Sequence, residues 1–112
     1  MATSRDLYID QGTDYNVIIS VKNSDGTPIN LSNYNVKSQM SKSHYSNTVY
    51  DLNASIYDTA LGSVSLGLTS AQSDLIPSGR FVYDVEITQT QTGIKKRIIE
   101  GIITITPQVT KS

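Results

Sequence analysis

Cysteine and tryptophan are absent from the 112 residues, and phenylalanine and histidine each occur once. The missing thiols exclude a disulfide framework, a thiolate zinc site and a cysteine nucleophile, so packing and hydrogen bonding alone must hold the fold. They leave the redox compartment open. Apolar runs are also short, reaching three residues at Val17-Ile18-Ile19, against the roughly 20 needed to cross a bilayer. Charge of one sign is lacking as well. Nine basic and ten acidic residues leave a formal net charge of -1, which argues against nucleic acid as a partner, and the short runs predict no membrane partner. The opening Met1-Ala2-Thr3-Ser4-Arg5-Asp6 has neither the basic nor the apolar segment of a secretory signal. Glycines stand singly at turns, so no phosphate-cradling loop is formed. Internal repeats, low-complexity tracts and linkers are also missing, which predicts one domain over residues 1–112, with 1–4 and 108–112 as flexible arms.

What is present is period-two alternation, the signature of half-buried strands. A short strand is predicted over Arg5–Ile9, followed by a turn at Gln11-Gly12-Thr13. From Tyr15 to Val21 the residues Tyr15, Val17, Ile19 and Val21 share one face. Asp25-Gly26 then marks a tight turn, and Pro28 is expected to prevent early re-pairing by removing a donor. Tyr34, Val36 and Met40 point inward in a strand over Tyr34–Ser41, and Ser41 to Thr48 reads as an exposed polar loop. A strand over Val49–Tyr57 places Tyr50, Leu52, Ala54 and Ile56 together, and another after Gly62 places Val64, Leu66 and Leu68 together. Thr69-Ser70-Ala71-Gln72 matches a capping box, predicting one helical turn over Ser70–Leu75. The strand Arg80–Ile87 presents Phe81, Tyr83, Val85 and Ile87. The last stretch, Ile94–Thr106, mixes two facings, which a bulge near Glu100-Gly101 would reconcile. Seven strands and one helical turn predict an all-β chain, an immunoglobulin-like antiparallel β-sandwich, with a small SH3-like barrel as the alternative.

Chemistry-bearing groups are sparse. The single histidine, His44, lies in the polar loop with no nucleophile elbow or other positioning motif nearby, so no catalytic residue is assigned. Asp84 and Glu86, with Glu100 across the hairpin, have the oxygen donors a divalent cation takes. Lys95, Lys96 and Arg97 face them, and cross-strand charge pairing explains the acids without a metal. No cofactor is expected. Aromatic content is dominated by seven tyrosines, residues that bury a rigid face while keeping the hydroxyl hydrogen-bonded. Tyr15, Tyr34 and Tyr83 belong to core faces. Tyr8, Tyr45 and Tyr57 fall on outward or loop positions and, with Ile18, Val82, Ile98 and Ile102, form the candidate partner-binding set.

Several segments resemble a recurrent tailed-phage virion module. They are Leu7-Tyr8-Ile9-Asp10-Gln11-Gly12, the turn Ser24-Asp25-Gly26-Thr27-Pro28-Ile29 with Leu31 and Tyr34, and Leu68-Thr69-Ser70-Ala71-Gln72. The most specific part is Ile76-Pro77-Ser78-Gly79-Arg80-Phe81-Val82-Tyr83-Asp84-Val85-Glu86-Ile87, followed by Glu100-Gly101-Ile102 and Thr106-Pro107. The likeness is to the N-terminal domain of phage baseplate upper proteins and to small immunoglobulin-like virion proteins of cyanobacterial and marine phages. It implies a β-sandwich assembly module without catalytic residues, located in the virion after assembly in the host cytoplasm. Its expected partners are other phage virion proteins, either capsid or baseplate and tail subunits, with a homo-oligomer as a further option. Because the chain ends soon after Pro107 without a coiled-coil or receptor-binding extension, a capsid decoration or cement protein is the favoured form. A baseplate or tail accessory protein, or a host-surface carbohydrate-binding module, is the alternative.

Overall fold

Alternating apolar and polar residues form the strands of the computed structural model, which describes residues 3–23, 25–43 and 47–107. In chain order the elements are β1 (Thr3–Ser4), β2 (Leu7–Asp10), β3 (Tyr15–Ser20), β4 (Tyr34–Ser41), β5 (Tyr50–Asp51), β6 (Ser55–Asp58), β7 (Ser63–Leu68), α1 (Ser70–Asp74), β8 (Gly79–Gln89) and β9 (Lys95–Thr106). The larger sheet runs β1-β9-β8-β4-β5, with β2 also pairing β9, and the smaller runs β3-β7-β6. The two pack face to face as an immunoglobulin-like sandwich. All pairings are antiparallel except those of β1 and β2, which lie parallel to β9 one after the other.

Between the sheets lies one core. Phe81, Val85 and Ile87 of β8, Ile99, Ile103 and Ile105 of β9, and Val64 and Leu66 of β7 are almost completely buried. Each such side chain contributes about 1.5–3 kcal/mol relative to exposure. The Tyr50 ring meets Phe81 edge-on, with centroids 5.8 Å apart. Two buried serines are satisfied by carbonyls from distant parts of the chain: Ser38 Oγ donates to the Asp84 carbonyl at 2.6 Å, and Ser73 Oγ to the Thr13 carbonyl at 2.8 Å. The capping box forms as its residue types require. Thr69 Oγ1 accepts from Gln72 N at 3.2 Å and Gln72 Oε1 from Thr69 N at 2.9 Å. The helix it starts ends at Asp74, with Leu75 as its C-cap.

Several expectations are corrected. The first strand is two segments, because the ladder to β9 is interrupted at Arg5-Asp6 without a change of register, and Thr3 and Ser4 pair with β9 instead of forming part of an arm. The strand expected over Val49–Tyr57 divides between the sheets: β5 pairs with β4, and β6 with β7. Pro28 does not prevent pairing. It bridges Lys22 at a position where its neighbours make the bonds, Asn23 N to the Thr27 carbonyl at 2.7 Å and Ile29 N to the Val21 carbonyl at 3.1 Å. The bulge in β9 sits at Ile98, not at Glu100-Gly101: Val85 opposes Ile99 while Glu86 opposes Arg97, leaving Ile98 as the extra residue.

Gly101 has a different task. A Cβ there would overlap the Arg5 carbonyl, which lies against β9 at the break between β1 and β2. The Tyr83 ring lies across the same spot and its hydroxyl donates to that carbonyl at 2.5 Å. Arg5 N bonds the Glu100 carbonyl at 2.9 Å, and Asp6 Oδ1 accepts from Ile102 N at 3.1 Å. Together these contacts latch the N-terminal segment along β9. Burial, with smaller contributions from Tyr15 and Asp6, pushes the Tyr83 phenol up to about 12 against a smaller opposing pull from Arg5, so it donates throughout the neutral range.

Candidate partner-binding surface

The outward residues of β4, β8 and β9 form the free face of the larger sheet. Cross-strand register sets their order: Ser41, Val82 and Ile102 form one row, Gln39, Asp84 and Glu100 the next, and Lys37, Glu86 and Arg97 the third. Val49, one residue before β5, borders the first row. Tyr8 on β2 stands opposite Thr104 on the same face, one alternate position along from Ile102. Tyr8, Ile102, Val82 and Val49 thus lie along one strip across the sheet, apolar except for Ser41 between Val82 and Val49, with Ile102 40% and Tyr8 70% exposed. Between strip and acidic row lies an open depression of about 750 Å³, lined among others by Asp6, Val49, Val82, Asp84, Glu100 and Ile102.

Electrostatics divides this face. Asp84 and Glu100 oppose each other directly, an arrangement that costs energy unless a cation intervenes. Arg97 supplies one: its Nε lies 3.3 Å from Asp84 Oδ2. Both side chains are partly solvated, so the pair contributes under about 1 kcal/mol and serves to order the acidic row. Among the described residues no three carboxylate or imidazole groups converge as a metal cage.

The seven candidates do not form one patch. Tyr8, Val82 and Ile102 come together on the larger sheet, with Val82 half-buried. Ile18, 44% exposed, and Tyr57, 65% exposed, lie on the outer side of the smaller sheet, at the opposite face of the sandwich. Tyr57 is the bulged residue of β6, between Ile56, which opposes Val64, and Asp58, which opposes Ser63. Ile98 is withdrawn from the set: the bulge turns it inward together with Ile99, leaving it 6% exposed. Tyr45 and its neighbour His44 lie outside the described residues. Val49 was missed, although a signal was there, since alternation that turns Tyr50 inward turns Val49 outward. Among the described residues no helix is long and apolar enough to cross a membrane.

No family model and no curated protein matches the chain. Among solved structures it is similar to Listeria monocytogenes InlP, with a TM-score of 0.50 and 12% identity over 94% of this chain and 28% of that one. The chain therefore spans less than a third of the InlP length, and the likeness is one of β-rich fold alone.

Proposed function

We propose that this chain is a non-enzymatic structural protein of a tailed-phage virion, a decoration or cement protein that binds neighbouring capsid subunits through the outer face of its larger sheet. The observation that carries the proposal is the strip of Tyr8, Ile102, Val82 and Val49, exposed or half-buried apolar residues that run across four rigid strands with Ser41 among them, where a lone domain has no need of them. The acidic row beside it provides a polar rim that sets register and disfavours wrong partners. Strand-borne side chains lose little entropy on docking, so a modest patch suffices when a lattice repeats it many times. The tailed-phage resemblance of Ile76–Ile87 and Glu100-Gly101-Ile102 supports the same assignment.

Adding purified protein to particles assembled without it tests the proposal. The wild-type chain is expected to saturate the capsid shell and Ile102→Lys to bind at least tenfold less tightly, with its circular dichroism and melting unchanged. Binding at the tail or baseplate instead would assign the accessory role, and no binding to any part of the particle would overturn the proposal.

A further inference from the structure

Three of the four outer sheet edges are blunted. β1 and β2 are two- and four-residue segments with a break between them, β5 has two residues, and β6 is interrupted by the Tyr57 bulge. These are the usual ways of discouraging further strand pairing. The fourth edge, β3, is six residues of regular strand with neither Pro nor Gly. Val21 N bonds the Gly62 carbonyl at 2.9 Å, and Gly67, opposite Asn16, turns its N–H away to the Leu52 carbonyl at 2.8 Å. By antiparallel alternation the odd residues of β3 face β7, and the N–H and C=O of Asn16, Ile18, Ser20 and Lys22 face outward. Among the described residues these backbone groups have no partner, and all four residues are exposed.

We propose that this edge pairs with the β3 edge of a second copy, antiparallel about a two-fold axis at Ile18, joining the two smaller sheets into one. Outward-facing residues must oppose outward-facing residues, so the two numbers in each pair must both be even. With Ile18 opposite Ile18 of the second copy, Asn16 meets Ser20, and Asp14, whose Oδ1 accepts from Ser70 N at 2.6 Å within its own chain, meets Lys22 through its charge and its other oxygen at both ends of the contact. A shift of two residues separates the isoleucines and, depending on its direction, sets Asp14 against Ser20 or Lys22 against Asn16. The complementarity of Asp14 and Lys22 thus selects one register, and it is self-complementary, as a two-fold contact requires. Three central pairs, two bonds each, satisfy the bare edge groups. On the inner side Tyr15 and Val17, half-buried in one copy, gain Val21 and Ile19 of the other as cross-strand neighbours.

The test uses sedimentation velocity from about 5 µM to about 1 mM, where mass action drives a weak dimer to completion. Wild type is expected to form a dimer, and Ile18→Lys to remain monomeric with an unchanged fold. Asp14→Lys and Lys22→Glu should each weaken the dimer about tenfold, while their mixture restores it as a heterodimer with both end pairs complementary. Since the chain has no cysteine, Ile18→Cys offers a second readout. Facing residues of a bonded pair stand about 5.5 Å apart at Cα, within the roughly 4.4–6.8 Å of a disulfide. That variant should oxidise to a covalent dimer much faster than Tyr57→Cys. A monomer throughout the range would overturn the proposal, as would a dimer untouched by Ile18→Lys or equal cross-linking at both cysteines.

Discussion

The edge of the larger sheet at β9 and the edge of the smaller sheet at β3 are built on opposite plans. Along β9 the chain covers its own strand with β1 and β2, and fastens the cover through the Arg5 carbonyl, which Gly101 admits and Tyr83 holds. Along β3 nothing from the described chain is laid down, and the outward residues are small, polar or singly apolar: Asn16, Ile18 and Ser20. One edge spends specific residues on closure; the other keeps a regular, charge-matched run available. The difference separates what holds this domain together from what it can offer to other molecules.

Substitutions on β9 sharpen that contrast most. Ile98→Lys puts an ammonium into the core beneath the bulge and is expected to cost about 4 kcal/mol or more. Denaturant titration should find it largely unfolded, whereas Ile102→Lys, four residues away on the free face, should unfold within about 0.5 kcal/mol of wild type. Gly101→Val breaks the latch by driving a branched side chain into the Arg5 carbonyl, at an expected cost of about 3 kcal/mol. Hydrogen exchange would then show loss of protection at the amides bonded between β2 and β9, with β3–β7 amides affected only through global stability.

Tyr83→Phe is gentler. It leaves the Arg5 carbonyl without its donor and should cost about 1–3 kcal/mol. It should also change the alkaline limb of the stability profile. Because the folded phenol titrates near 12 and the unfolded one near its ordinary value of 10, the unfolded chain loses its proton first as pH rises. Stability from this group is fully present below pH 10 and declines between about 10 and 12, by on the order of 2 kcal/mol. Melting temperatures followed across that window should fall less steeply for Tyr83→Phe than for wild type. The smallest effect is expected at the open edge, where Ile18→Lys should leave the monomer melting point within about 2 °C.

Much of this was legible in the residues. The inward sets of β3, β4, β7 and β8 follow from alternation because each strand has one face on the core. The capping box announced α1. Alternation, however, reports which way a side chain points and not which sheet its strand joins. Tyr50, Leu52, Ala54 and Ile56 keep their inward facing while the chain crosses from β5 to β6, since both sheets look onto one core; Asn53, at a φ of 54°, accommodates the crossing. In β9 two facings were visible, and Gly101 attracted the bulge because glycine so often marks one. The carbonyl that Gly101 makes room for comes from a residue 96 positions earlier, a contact that no local pattern encodes. The real bulge, at Ile98, is signalled only by two adjacent isoleucines that both have to be buried. The partner surface was half legible: Tyr8, Val82 and Ile102 were singled out as outward, but their gathering into one strip depends on the parallel register of β2 on β9.

Cryo-electron microscopy of purified native phage particles is the most direct test of the proposal that this chain is a capsid assembly protein. Regular density on the shell, with Val82 and Ile102 of the larger sheet buried against a capsid subunit, is the predicted result. Absence of the chain from purified particles, or particles in which that face is turned to solvent, would contradict it.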